Sequence, residues 1–166
     1  MPDAKFVHVI RDGRDVAVSV AAARSTWSRF GQTSGSGTVE EIAGLWSDAM
    51  LARDHSQTLL GERLLEVRYE EVRADPAGAC RQLFAHCGMP QDEGLVAEAV
   101  GATELGRYGE PGEDRAVRTG LVGQWRDRFG VRDARTFERR AGEALRATGY
   151  ESDPRWWRQC RMRSRL

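Results

Sequence analysis

Lysine is almost missing from this chain: Lys5 is the only one, and every other cation is arginine. A phosphate loop of the Gly-Lys-Ser/Thr kind has nothing to build on, and no such signature is found. Net charge is missing too, with 25 basic and 25 acidic residues, so no global field draws the protein to nucleic acid or a membrane surface. Cysteine is scarce. Cys80, Cys87 and Cys160 form no Cys-x-x-Cys pair, and their odd number argues against a disulfide framework. Cys80 and Cys87 share a face if helical and are expected to be reduced, buried thiols in a reducing, cytoplasmic setting. No apolar run is long enough to span a bilayer, and no charged-then-apolar signal segment opens the chain. A soluble protein with neither membrane nor nucleic acid as partner is expected. The 166 residues suffice for one domain with a real core, taken as 1–150, before a basic, aromatic tail over 151–166.

What is present is organised around Lys5 to Ser19. A β-rich, mostly apolar run, Lys5 to Ile10, leads into Arg11-Asp12-Gly13-Arg14-Asp15, and a helix-competent stretch follows from near Asp15. A strand that delivers an arginine at its carboxyl end and passes straight into a helix places cationic and hydroxyl groups where open α/β sheets bind ligands. Arg11 would end the strand and Ser19 would stand about a turn into the helix. Guanidinium, hydroxyl and helix amides are all donors to phosphate oxygens. Ordinary salt-linked surface is the competing reading of the same turn. Val16, Val20, Ala23 and Trp27 recur at near-helical spacing and are expected to form the helix's apolar face.

Gly31 to Thr38 is a polar break, read as a flexible loop, or a lid, rather than a phosphate cradle because a helix precedes it and it has no lysine. Thr38 with Glu41 reads as a capping box. The helix it opens is expected to bury Ile42, Leu45, Trp46, Ala49 and Ala52 and to end near His55. Gly61 breaks the chain before a strand over Leu64–Arg68. Asp75-Pro76 starts another helix, with Ala79, Leu83 and Phe84 inward and an end at Gly88-Met89-Pro90. A short helix follows from Asp92 to about Val100, then an irregular stretch from Gly101 to Gly120. A last helix runs from Ala134 to Thr148 and stops at Gly149. Pro154 to Arg165 mixes Trp156 and Trp157 with arginines, a composition suited to touching nucleic acid or another protein, but it reads first as a frayed basic terminus.

Three of these segments, in order, resemble the sulfotransferases that use 3′-phosphoadenosine 5′-phosphosulfate (PAPS). Arg11, Arg14-Asp15-Val16 and Ser19 are similar to the family's 3′-phosphate-binding element. Leu64-Leu65-Glu66-Val67-Arg68-Tyr69-Glu70-Glu71-Val72-Arg73-Ala74-Asp75-Pro76 resembles its second strand and Tyr-Glu turn. Arg118-Thr119-Gly120-Leu121-Val122-Gly123-Gln124-Trp125-Arg126 resembles the Arg-Lys-Gly-x-x-Gly-x-Trp-Lys loop that closes over the nucleotide, with Thr119 and Arg126 where lysines are usual.

The resemblance implies an α/β fold, an incomplete P-loop-like parallel sheet flanked by helices. It implies PAPS as sulfuryl donor, no metal, and an acceptor hydroxyl or amine on a small molecule or glycan. It assigns Arg11 and Ser19 to the 3′-phosphate, Arg118 with the Thr119 and Gly120 backbone to its cover, and Tyr69 to the adenine. Trp125 is expected to pack and fix its loop. In the family the 5′-phosphosulfate loop lies on the first strand, ahead of the 3′-phosphate element. The chain is therefore expected to correspond to the carboxyl-terminal portion of a sulfotransferase, and Lys5, at a strand's start, cannot stand in for that loop. The usual base also falls upstream, so the catalytic residue is unknown. His8 reads as a satisfied core histidine, and His55 and His86 are distant in sequence from the motifs.

A sheet without that strand would expose apolar surface and an unpaired edge, so self-association through the edge is expected. Two other readings stay open. One is a non-catalytic module that binds adenosine 3′,5′-bisphosphate or complements another chain. The other is a nucleotide-kinase-like relative, disfavoured by the missing Walker loop.

Overall fold

The computed structural model describes residues 3–27, 37–102 and 121–160. They form an α/β protein of two compact units. The first is drawn from the chain up to Arg11 and again from Asp54. In it β1 (Phe6–Ile10) pairs in parallel with β2 (Leu64–Arg68), Phe6 against Leu64 and Ile10 against Arg68. A helix, α3 (Arg53–Leu60), and a 3₁₀ turn at Gly61–Arg63 lead into β2. Gly61, at φ +53°, supplies the left-handed residue that stops the helix and frees the strand. Ile10, Leu64 and Val67 are buried, whereas Phe6, Val7 and Val9 are exposed.

Two helices, α4 (Tyr69–Ala74) and α5 (Pro76–Cys87), follow β2, and α6 (Glu93–Ala102) packs on α5. Asp75 caps α5 by accepting the Gly78 N–H at 2.9 Å, with Pro76 at the first helical position. Gly88, at φ +73°, ends it, and the Met89 N–H donates to the Phe84 carbonyl at 2.8 Å. The Arg81 fork grips Glu93 and ties α5 to α6. The thiol expectation needs correction. All three cysteines are free, but only Cys160 is buried; Cys80 is half-buried and Cys87 exposed. α5 sinks none of its residues fully, so its turns carry both thiols at or near the surface.

The second unit begins at Asp12. It holds α1 (Gly13–Trp27), α2 (Val39–Leu51), α7 (Trp125–Arg128), α8 (Val131–Ala147) and a 3₁₀ turn at Trp156–Gln159. α2 packs on α8 and α1 on α2. A run of rings fills the core: Trp46 on Phe137, Phe137 on Phe129, Phe129 on Trp156, and Trp156 edge-on to Trp125. Gly13 allows the closest approach, since a Cβ there would overlap the Trp46 indole. The capping box forms, with Glu41 N–H donating to Thr38 Oγ1 at 3.3 Å and the Glu41 carboxylate accepting the Gly37 N–H at 2.6 Å.

Both helical stripes are rotated from the expected ones. α2 buries Ile42, Ala43, Trp46, Ser47 and Met50, while Leu45 is 67% exposed and Ala49 and Ala52 also face out. The Trp46 ring, seated against Phe137 and Gly13, decides which side of α2 turns in. α1 buries Arg14, Asp15, Ala17 and Val18, and leaves Val16 and Val20 half-buried, because an ion cluster takes the inward positions. The side chains of Ala23 and Trp27 lie outside the described residues.

α8 starts at Val131, ahead of the expected Ala134, and gives way to Gly149 at φ +72°. The frayed terminus is corrected as far as Cys160, since Trp156 and Cys160 are buried and the Trp156 indole N–H donates to Glu138 at 2.9 Å. Residues 31–36, 103–120 and 161–166 lie outside the described ones. No helix among the described residues is long and apolar enough to cross a membrane.

Candidate functional site

The register of the parallel pair builds the first part of the site. Ile10 lies against Arg68, so the next residues, Arg11 and Tyr69, emerge side by side at the carboxyl ends of β1 and β2. The Arg11 guanidinium lies over the Tyr69 ring, 4.4 Å from its centroid, and both residues are half-buried. Stacking engages the face of a guanidinium, while its N–H donors lie in its plane. The ring therefore holds the cation by its face rather than by its N–H edge. The carboxyl end of parallel strands is where α/β sheets take ligands.

Ser19 is exposed on α1 and belongs to the second unit. It stands nearly two turns into the helix rather than about one, because α1 begins at Gly13. Asp12 causes the early start: its carboxylate accepts the Arg14 N–H at 2.9 Å and caps the first turn. Arg118, Thr119 and Gly120 lie outside the described residues. Of the six expected nucleotide-binding residues, the structure brings Arg11 and Tyr69 together.

Arg14, quoted in the motif but given no role, is the hub of the second unit. Its Nε and Nη2 hold the Asp12 carboxylate at 3.0 and 2.8 Å, Nη1 donates to Glu151 at 2.8 Å, and Nη2 donates to the Tyr150 carbonyl at 2.9 Å. The guanidinium also sits 3.9 Å from the Trp125 ring centroid and 4.7 Å from that of Trp156. Burial pushes the Asp12 carboxyl above its usual range, and the bonds and charge of Arg14 offset this only partly. Burial works against Glu151 as well, but there the bond from Arg14 and the Asp153 and Ser152 N–H groups win, and its carboxyl falls below the usual range. Burial would lower Arg14, yet its two carboxylate partners raise it further, so it stays a cation. No sequence signal pairs Arg14 with Glu151 or with Trp156; only the fold does.

Asp15, also buried, reaches the carboxyl-terminal part of the expected nucleotide loop. Its Oδ2 accepts the Gly123 N–H at 2.6 Å and its Oδ1 the Trp125 N–H at 3.0 Å. Trp125 is 4% exposed, clamped by Arg14 and Trp156, so it packs and fixes its turn as expected. Its indole Nε1 is buried with no hydrogen-bond partner among the described residues.

The histidines do structural work. His8 lies 3.3 Å from Glu66 across the strand pair, with its side chain 33% exposed. It is satisfied, but it is not in the core: its face of β1 runs from exposed Phe6 to buried Ile10, and His8 stands between them. His86 Nε2 donates to the Phe6 carbonyl at 3.0 Å, and His55 is exposed on α3.

Comparison with known proteins adds three findings. A family model described as "Sulfotransferase family" matches residues 1–93, more than half of the chain. Over 92 residues the chain is 29% identical to the omega-hydroxy-beta-dihydromenaquinone-9 sulfotransferase Stf3 of Mycobacterium bovis, and equally to that of Mycobacterium tuberculosis. Each match covers 53% of this chain and 24% of the relative, so the chain matches about a quarter of the length of these curated proteins. Mouse sulfotransferase SULT7A1 complexed with PAP shares the fold at a TM-score of 0.69 and 18% identity, over 95% of this chain and 62% of that one.

Proposed function

The chain belongs to the sulfotransferase family, and on that premise we propose that it grips the nucleotide end of PAPS for sulfuryl transfer to a hydroxyl or amine acceptor. The observation that carries this reading is the Arg11 guanidinium stacked on Tyr69 at the carboxyl ends of β1 and β2. PAPS supplies an activated sulfuryl group. What this chain's residues do is bind and orient the nucleotide. Arg11 takes the 3′-phosphate through charge-assisted hydrogen bonds, and Ser19 adds a hydroxyl donor by its place in the motif. Tyr69 holds Arg11 and lies against the adenine, and Arg118 with the Thr119 and Gly120 amides covers the phosphate. Rate in such transfers comes mostly from in-line positioning and charge neutralisation, so holding the nucleotide still is itself a catalytic contribution. The acceptor is a small molecule or a glycan, and the setting is cytoplasmic.

A second reading, that the chain binds adenosine 3′,5′-bisphosphate without catalysing transfer, is favoured by His8 and His86. Both are occupied by structural partners and are poorly placed to serve as a base. Self-association through β1 belongs to either reading and is supported by the exposed Phe6, Val7 and Val9.

The test is calorimetric titration with adenosine 3′,5′-bisphosphate and with ATP. The bisphosphate is expected to bind more tightly. One charge-assisted bond is worth roughly 1.5–3 kcal/mol, so Arg11→Ala is expected to weaken binding about ten- to more than a hundredfold. Tyr69→Phe keeps the stacking and most of the affinity, whereas Tyr69→Ala does not. Equal affinity for ATP, or an Arg11→Ala protein that binds normally, refutes the assignment. A transfer assay from PAPS to a generic acceptor then separates the two readings.

A further inference from the structure

We propose that the solvent face of α8, with the 3₁₀ turn at Trp156–Gln159 beside it, is a docking surface for an acidic segment of a partner protein. The surface lies wholly within the second unit and has no part in nucleotide binding.

Arg132, Arg135 and Arg139 are exposed, and their spacing of three and four residues sets them in one row on α8. At the helical rise the row is about 10 Å long. Trp157, half-buried in the neighbouring turn, carries two cations: the Arg135 guanidinium lies 4.1 Å from its ring centroid and that of Arg158 5.4 Å. One indole therefore joins helix and turn into a single surface. Apart from these ring contacts, the guanidiniums of Arg132, Arg135, Arg139 and Arg158 make no hydrogen bond or ion pair among the described residues. Elsewhere in the unit arginines do find carboxylates: Arg14 holds Asp12 and Glu151, and Arg146 holds Glu138.

A guanidinium stacked on a ring is already ordered, so it loses less freedom when it takes an anion. Tryptophan and arginine are also the residue types that carry most of the binding energy at protein interfaces. Charge selects the partner. The chain as a whole is balanced, and two acids interrupt the surface, Asp133 half-buried and Glu143 exposed one turn past Arg139. That is not the continuous positive field by which a nucleic-acid backbone or an anionic membrane is drawn in. The row offers separate cations about 4.5–6 Å apart along the helix, each able to take one carboxylate through two N–H bonds. Alternate residues of an extended chain project to the same side about 6.5–7 Å apart, so acids at every second position meet the row.

The test is fluorescence anisotropy of a labelled peptide alternating glutamate and alanine, titrated with the full chain at low ionic strength. A single-stranded DNA oligonucleotide and phosphatidylserine vesicles are run beside it. The peptide is expected to bind saturably, more tightly than either, and to be released by salt. Arg135→Gln combined with Arg139→Gln is expected to weaken it roughly tenfold or more, the worth of about one charge-assisted bond. Arg73→Gln, at an exposed arginine of α4 in the first unit, is expected to change nothing. Trp157→Ala keeps every arginine and removes the platform, and a several-fold loss is expected; should that variant fail to fold, the surface pair on α8 decides. Wild type that does not bind the peptide, a double variant or a folded Trp157→Ala that binds normally, or an Arg73→Gln as damaging as the double variant overturns the proposal. Tighter binding of the oligonucleotide or the vesicles through the same arginines overturns the choice of partner.

Discussion

Arg14→Met is the most searching test of the structure. The side chain is replaced by one of comparable reach that makes no hydrogen bond, leaving Asp12 buried and Glu151 partly so without their shared cation. Removing one partner of a buried pair costs about 3–5 kcal/mol, because the remaining charge has neither water nor a counter-ion. The faces of Trp125 and Trp156 lose a cation held at 3.9 and 4.7 Å, but these contacts share the same guanidinium and do not add in full. Against a total stability of roughly 5–15 kcal/mol, that is a large fraction.

For a chain of this size each kcal/mol moves the melting temperature by about 2–4 °C, so a fall of roughly 6–20 °C is expected. Differential scanning calorimetry measures it, with urea unfolding as a check. Adding Asp12→Asn to Arg14→Met is expected to restore part of the loss, since the stranded carboxylate goes as well. Arg14→Lys keeps the charge but not the fork, and falls between wild type and Arg14→Met. A melting temperature for Arg14→Met within about 2 °C of wild type refutes the claim that this arginine organises the unit.

Glu151 gives a pH signature. Its folded carboxyl lies below the usual value, so its contribution is present above the unfolded value of about 4.3 and is lost as pH falls through the folded one. Asp12 is shifted upward and has the opposite sign: its contribution is fullest at low pH and declines as pH rises through its folded value. The stability difference between wild type and Glu151→Gln is therefore expected to be largest near neutrality and to vanish in acid; a difference that stays constant in urea midpoints across that range contradicts the pairing. Self-association is checked through Val9, 55% exposed on β1. Sedimentation is expected to show concentration-dependent association that Val9→Lys reduces, and a wild type that stays monomeric at every concentration removes the edge from consideration.

Whatever acts over a few residues is legible in the order of the amino acids. Gly61, Gly88 and Gly149 end helices where expected, Thr38 with Glu41 and Asp75-Pro76 begin them, and Leu64–Arg68 is a strand. Each depends on a backbone angle or a cap set by neighbours one to four positions away. The three motifs that contain Arg11, Tyr69 and Trp125 are legible for a different reason, since they resemble a family's pattern.

Tertiary structure alone decided which faces turn inward and which distant groups meet. Leu45 is a large apolar residue, yet it faces solvent because Trp46 takes the contact with Phe137 and Gly13. Arg14 and Asp15 stand in a charged turn for which salt-linked surface is one reading, yet they are buried against Glu151, Gly123 and Trp125, more than a hundred positions on. A charge is stable in the interior only when folding brings its counter-charge or donors to it, and no local pattern carries that information.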